Sequence, residues 1–360
     1  MTDFSAADHA HMARALRLAE RGLFTTQPNP RVGCVIARGD EVIAEGWHQR
    51  AGEPHAEVFA LRDAGERARA ATAYVTLEPC AHFGKTPPCA DALIASGISR
   101  VVAACEDPNP RVAGGGFRKL RDVGIAVDIG LMRDAARELN RGFLSRLERK
   151  RPWVRVKLAS SLDGRTALAN GESKWITSEA SRADVQRWRA RSSAILTAIG
   201  TVLADDPRLT VRLDESFVAP LRVVLDRTLR TPRDAHVLDG TAPTLIVHGA
   251  DAKPDERFSN VELAAIPASN GKLYFDALLI LLAERGVNEL QVEAGPKLCG
   301  SLMADGLVDE LLLYTAPVLL GDTSRPLLTL PECSSMNDAR RWKIVDRRHI
   351  GEDTRLLLRP

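Results

Sequence analysis

Three side chains of metal-binding type, His55, Cys80 and Cys89, constrain this sequence more than any other feature. Zinc takes thiolate and imidazole ligands in a tetrahedral shell, and a catalytic zinc keeps three protein ligands and leaves a fourth position open. Residues so far apart meet only if a tertiary fold brings a helix and two loops to one point. Glu57 lies two residues beyond His55 and is placed beside the open position rather than in the shell, where a carboxylate takes and returns a proton. His82 is a fourth candidate ligand, disfavoured by its closeness to Cys80 and by the need for an open position. The bland alternative makes His55-Ala56-Glu57 ordinary helix surface and both cysteines core. Three apt residues beside Pro79 and Pro87-Pro88 argue against it.

The chain has 360 residues, more than a single hydrophobic core usually supports, so two domains are expected. Strand and helix patterns alternate from about Met12 to Ile129, with strands at Val32–Ala37, Glu41–Trp47, Ala73–Leu77, Arg100–Ala104 and Ala126–Ile129. Arg133–Lys150 reads as one helix ending in the basic run RLERKRP, which Pro152 breaks. A solvated helix end is preferred there over a phosphate patch. The division falls between residues 1–147 and 148–360. The second half restarts at Trp153–Ala159 and is again α/β, closing with two strands that form a hairpin at about Lys343–Arg348 and Thr354–Leu358.

A formal net charge of +2 gives no global field for nucleic acid or an anionic membrane. No apolar stretch has the length of a transmembrane helix, and the start MTDFSAADHAHMARAL lacks a secretory pattern, so the cytoplasm is the expected location. Cys34, Cys105, Cys299 and Cys333 are expected to be plain core.

H-x-E with a following P-C-x-x-C is the usual zinc-deaminase signature. Here AHFGKTPP, eight residues, separates the cysteines instead of two. The stretches PNPRVGCVI, HAEVFAL, VTLEPCAHFGKTPPC and EDPNPRVAGGG resemble the deaminase domain of the bifunctional riboflavin-biosynthesis deaminase/reductase family, whose longer loop they share. The resemblance implies a cytidine-deaminase-like three-layer domain, one Zn2+ held by His55, Cys80 and Cys89, Glu57 as proton shuttle, and a substrate pocket lined by Asn29, Lys85, Asp107 and Asn109. Asn29, rigid between two prolines, independently suits a pyrimidine edge. Lys85 suits a phosphate or is simply a solvated loop lysine.

The second half lacks G-x-G-x-x-G after its first strand, against a standard dinucleotide fingerprint. KLASSLDGRTA, GESKWITS, RWRARSSAILTAIGTVLADDPRLTVR and VEAGPKLCGSL instead resemble the same family's reductase domain, of dihydrofolate-reductase-like fold. The resemblance covers nearly the whole chain. It implies NADPH contacts at Ala159, Trp175, Thr201, Asp205 and the turn Gly295, Pro296, Lys297, Leu298, Cys299, Gly300 and Ser301. It implies substrate contacts at Ser173, Arg189, Leu209, Arg212 and Glu293, with Asp205 assisting proton transfer. A guanidinium fork suits phosphate, although Arg189 also reads as surface helix charge and Asp205 as a turn cap. The implied reactions are hydrolytic deamination of 2,5-diamino-6-(5-phosphoribosylamino)pyrimidin-4-one and reduction of its ribosyl chain to ribityl. The only partner expected beyond this small molecule is a second copy of the chain, joined through the reductase half. The rivals are a nucleic-acid or nucleoside deaminase with an inert second domain, and a zinc-stabilised binding module.

Overall fold

The computed structural model describes residues 3–81, 87–109 and 113–360, and the chain divides into two compact units, Met1–Arg149 and Lys150–Pro360. The expected boundary after residue 147 would cut a helix that runs on to Arg149.

The first unit runs α1 (Ala6–Glu20), β1 (Gly33–Arg38), β2 (Glu41–Trp47), α2 (Ala56–Ala64), β3 (Thr72–Val75), α3 (Cys89–Ala95), β4 (Arg100–Ala103), α4 (Gly115–Asp122), β5 (Ala126–Ile129), α5 (Arg133–Leu139) and α6 (Arg141–Arg149). Its sheet has the order β2-β1-β3-β4-β5, with β1 antiparallel to both neighbours and β3, β4 and β5 parallel. Glycine spacing reveals the layers. A Cβ on Gly33 would lie 2.0 Å from the Ala15 carbonyl of α1, and one on Gly46 2.2 Å from the Ala56 carbonyl of α2. Gly33 pairs with Trp47 and Cys34 with Gly46, so the two glycines face opposite sides of the sheet. Hence α1 and α2 cover opposite faces, which makes three layers. The single helix expected over Arg133–Lys150 is broken at Asn140. Its side chain takes the Arg31 N–H at 2.8 Å and donates to the Arg31 carbonyl at 2.9 Å, a tie that a continuous helix would not present.

The second unit runs β6 (Trp153–Ser160), β7 (Arg165–Ala167), α7 (Glu179–Arg191), β8 (Ala194–Ala198), α8 (Ile199–Asp205), β9 (Leu221–Leu225), β10 (Thr244–Gly249), β11 (Glu262–Ile266), β12 (Ala268–Ser269), β13 (Lys272–Leu273), α9 (Phe275–Glu284), β14 (Glu289–Val292), α10 (Pro296–Ala304), β15 (Glu310–Thr315), β16 (Arg325–Pro326), β17 (Lys343–Ile350) and β18 (Asp353–Arg359). Nine strands form one sheet, β11-β10-β9-β8-β14-β6-β15-β18-β17, parallel except at the β17–β18 hairpin and its pairing with β15. Successive residues of β8, β9 and β10 feed different cores. Ala194, Leu196, Val223, Leu225, Leu245 and Val247 pack in one cluster, while Ile195, Val224 and Ile246 pack in another. A parallel sheet covered on both faces needs this continuous apolar run.

Cys34, Cys105 and Cys299 are buried as expected, but Cys333 is exposed, in the irregular segment before β17. Among the described residues, no helix is long and apolar enough to cross a membrane.

Candidate active sites

His55 is the N-cap of α2, and Ala56 and Glu57 form its first turn, so one helix end delivers both the ligand and the carboxylate. Cys80 follows β3, and Cys89 opens α3. The ligand atoms of His55, Cys80 and Cys89 lie within 4.8 Å of one another. His55 Nδ1 is 3.2 Å from Cys89 Sγ and 3.6 Å from Cys80 Sγ. Tetrahedral zinc with Zn–S about 2.3 Å and Zn–N about 2.0 Å sets N and S about 3.5 Å apart, so the three fit that ion.

The local electrostatics agree. A hydrogen bond from Cys89 and another from His55 hold the Cys80 thiol well below its ordinary range, while the Cys80 thiolate and burial push Cys89 up. The Cys80 partner raises His55. A bound dication reverses the balance at Cys89, since a coordinating thiol is deprotonated. Burial raises Glu57, and its Oε2 is buried with no hydrogen-bond partner among the described residues. A buried oxygen left unpaired costs free energy, which fits an atom whose partner arrives with the reacting water.

Asn29 stands beside this cluster through a residue the sequence reading passed over. Burial pushes His48 down from the ordinary imidazole range, and its Nδ1 is 3.1 Å from the Pro54 carbonyl, which only accepts, so Nδ1 carries the proton. Nε2 then accepts from Asn29 Nδ2 at 3.0 Å, a bond that does not use the Asn29 carbonyl oxygen. The His48 and His55 rings meet edge to face at 5.3 Å. Asp107 is buried, and its carboxylate accepts the Asn109 N–H at 2.8 Å, closing a turn that holds both expected pocket residues. Lys85 and His82 lie outside the described residues.

In the second unit, β8, β14 and β6 are sheet neighbours. The expected residues gather at their C-terminal ends, where ligands bind in parallel α/β sheets. Ala159 is near the end of β6, Thr201 sits in α8 just after β8, and Glu293 follows β14. Gly295 caps α10, and Pro296 is its first residue. A Cβ at Gly295 would meet nothing within 4 Å, so the helix N-terminus opens onto free space, as a phosphate cradle requires. Lys297, Leu298 and Ser301 follow in the same helix; Cys299 is buried, and a Cβ on Gly300 would lie 2.0 Å from the Thr329 carbonyl, so these two pack rather than present.

Arg189 corrects its expected role in part. Its fork is held by Glu293 at 2.7 and 2.8 Å, and its third nitrogen donates to the Thr210 carbonyl at 2.9 Å, so the guanidinium is not an open phosphate clamp. Burial favours a neutral Glu293, yet the Arg189 charge overrides it and holds the carboxyl down at about 2. Lys157 of β6, absent from the expected set, is coupled to this pair; burial pushes its amine down against the attraction of Glu293. One lysine inside VRVKLAS was the available signal. Gln291 donates to Glu293 at 2.9 Å. Leu209 is buried with φ +51°, and the Arg212 N–H donates to Gln186 at 3.0 Å. Ser173 is half-buried, and Trp175 is exposed with the Arg182 guanidinium 4.4 Å above its ring. Asp205 is exposed at the end of α8. The cap is Asp206, which takes the His236 N–H at 2.8 Å.

Residues 5–105 match the cytidine and deoxycytidylate deaminase zinc-binding region, and residues 152–356 match the RibD C-terminal domain. The chain is 51% identical to the riboflavin biosynthesis protein RibD of Escherichia coli, covering 98% of this chain and 99% of that protein. It is 46% identical to that of Haemophilus influenzae over 100% and 99% of the two chains.

The chain belongs to the RibD family.

It is thus a bifunctional deaminase/reductase of riboflavin biosynthesis, with a zinc-binding deaminase domain followed by a reductase domain. Among solved structures, RibD of Acinetobacter baumannii superposes with TM-score 0.93 at 45% identity, covering 98% of this chain and 99% of that one. A diaminohydroxyphosphoribosylaminopyrimidine deaminase/5-amino-6-(5-phosphoribosylamino)uracil reductase from Thermotoga maritima superposes with TM-score 0.88 at 35% identity over the same shares.

Proposed function

We propose that the first unit deaminates a phosphoribosylamino diaminopyrimidine and that the second reduces the ribosyl chain of the product with NADPH. The domain break is set at Arg149/Lys150, where the compact units divide. The observation that carries the reading is the buried Oε2 of Glu57, without a hydrogen-bond partner among the described residues, beside three converging zinc-type ligands.

His55, Cys80 and Cys89 hold the metal. Zinc, when bound, is a Lewis acid that makes water nucleophilic near neutral pH. Glu57 takes a proton at Oε2 and returns it to the departing amine; its raised carboxyl is suited to both halves of that exchange. The Asn29 carbonyl, fixed by His48, accepts from a pyrimidine N–H, and Asp107 and Asn109 close the pocket. Lys85 meets the phosphate.

In the second unit, NADPH, when bound, supplies hydride. The N–H groups at the start of α10 would receive a phosphate of that cofactor, and Ala159, Trp175, Thr201 and Asp205 would contact it. Glu293 and Arg189 form a fixed charge pair that acts electrostatically on Lys157, and Ser173, Leu209 and Arg212 would complete the substrate contacts. Ligand thiols must stay reduced, which supports a cytoplasmic site of action. The exposed edge strand β17, with Ile344 and Val345 outward, supports self-association through this unit.

A coupled assay tests the reading. Protein with about one zinc per chain should release ammonia from the diaminopyrimidine without NADPH, and should oxidise NADPH only after that release. A zinc-loaded protein that releases no ammonia would refute it.

A further inference from the structure

Glu78 is a buried carboxylate that among the described residues meets no cation. Among the described residues its partners are four backbone N–H groups. Oε2 accepts from Asp107 at 3.3 Å and Gly114 at 3.0 Å, and Oε1 accepts from Gly116 at 3.0 Å and Phe117 at 3.4 Å. Two of these donors open α4, where the helix dipole also favours an anion. A carboxylate supplies about four acceptor sites, so Glu78 is fully used. The approach is close: a Cβ on Gly116 would stand 1.9 Å from the Pro79 carbonyl. One side chain therefore ties the segment entering Cys80 to the turn that presents Asp107 and Asn109.

We propose that Glu78 is a positioning residue of the deaminase: its carboxylate fixes the Asp107–Asn109 turn against the Pro79–Cys80 ligand loop and so sets the affinity for the pyrimidine without touching it. The proposal rests on the deaminase reading of this site.

The test uses full-length Glu78→Gln. An amide has one acceptor oxygen, and its own N–H groups oppose the donors that remain. Zinc content should stay near one per chain, and reduction of the deaminated intermediate should be unchanged. Amide exchange at Gly114, Gly116 and Phe117 should accelerate. The deaminase KM should rise roughly tenfold or more, as loss of buried hydrogen bonds implies, with kcat falling less. A merely structural role would lower zinc content and kcat together at unchanged KM, and that result overturns the proposal. If Glu78→Gln does not hold zinc, Glu78→Asp keeps the charge but withdraws it by one methylene, and the same KM comparison decides. If neither variant holds zinc, Glu78 serves the metal site's folding and the proposal falls. Zinc-loaded wild type run alongside separates the failures: no ammonia from wild type sinks the deaminase reading itself, whereas an active wild type beside a variant of unchanged KM removes Glu78 alone.

Discussion

Glu57 carries the sharpest prediction at the scale of one residue. Glu57→Gln keeps the size and the α2 first turn but cannot move a proton. It should retain zinc and lose deamination by about a hundred- to ten-thousand-fold, while reduction of already deaminated substrate continues. Metal analysis beside the two separate assays checks this, and near-normal ammonia release would remove Glu57 from the mechanism. At this scale the sequence was informative where chemistry is rare. A histidine, a glutamate and two cysteines at uncommon spacing have few competing explanations, and they converge. His48 and Glu78 were not legible, because their significance lies in partners far along the chain, Asn29 and the N-terminus of α4, and Lys157 showed only as a lone charge whose partner Glu293 is equally remote. Arg189 was legible only in part. Its partner Glu293 is 104 positions away, and only the fold reveals that the fork is already engaged.

Among the elements, α1 holds the most exposed dependence on pH. Ser5 and Asp8 form a capping box at its start, and Asp8 also accepts from the Tyr74 hydroxyl of β3 at 2.8 Å and from Arg100 of β4 at 2.7 Å. Burial opposes ionisation of Asp8, but these donors hold its carboxyl far below the usual range. A depressed folded-state pKa adds stability above the unfolded value of about 4, and that stability is lost as pH falls through the folded value. Asp8→Asn should therefore cost about 1.5–3 kcal/mol at pH 7, the worth of hydrogen bonds to a charged group, and the deficit should narrow progressively below pH 4. Urea unfolding of the first unit, read by amide protection in α1 at pH 7 and pH 3, measures both values; a deficit independent of pH would contradict the assignment. Elements with strong patterns were readable: Glu41–Trp47 and Ala126–Ile129 have the expected ends. The break at Asn140 was not, since both flanking segments favour helix and only the distant Arg31 backbone interrupts them.

For the whole molecule, each unit encloses its own apolar clusters, and among the described residues no strand pairing crosses Arg149/Lys150. All proposed zinc ligands precede that point, and all proposed NADPH contacts follow it. A fragment of residues 150–360 should thus fold without zinc, bind NADPH and reduce the deaminated intermediate. Circular dichroism followed by NADPH titration decides it: a folded fragment that binds none, beside a full-length protein that does, would remove the reductase site from this unit. The sheet order of that unit has a further consequence during synthesis. The central strand β6 pairs with β14, and Trp153 waits for Glu289, more than 130 residues later. At about 5–20 residues per second the ribosome needs roughly ten seconds to supply that partner. The first unit is complete by then, while β6, the central strand of the second, stands without neighbours on either side. The interval before β14 and β15 emerge is when a nascent chain of this protein most needs a chaperone.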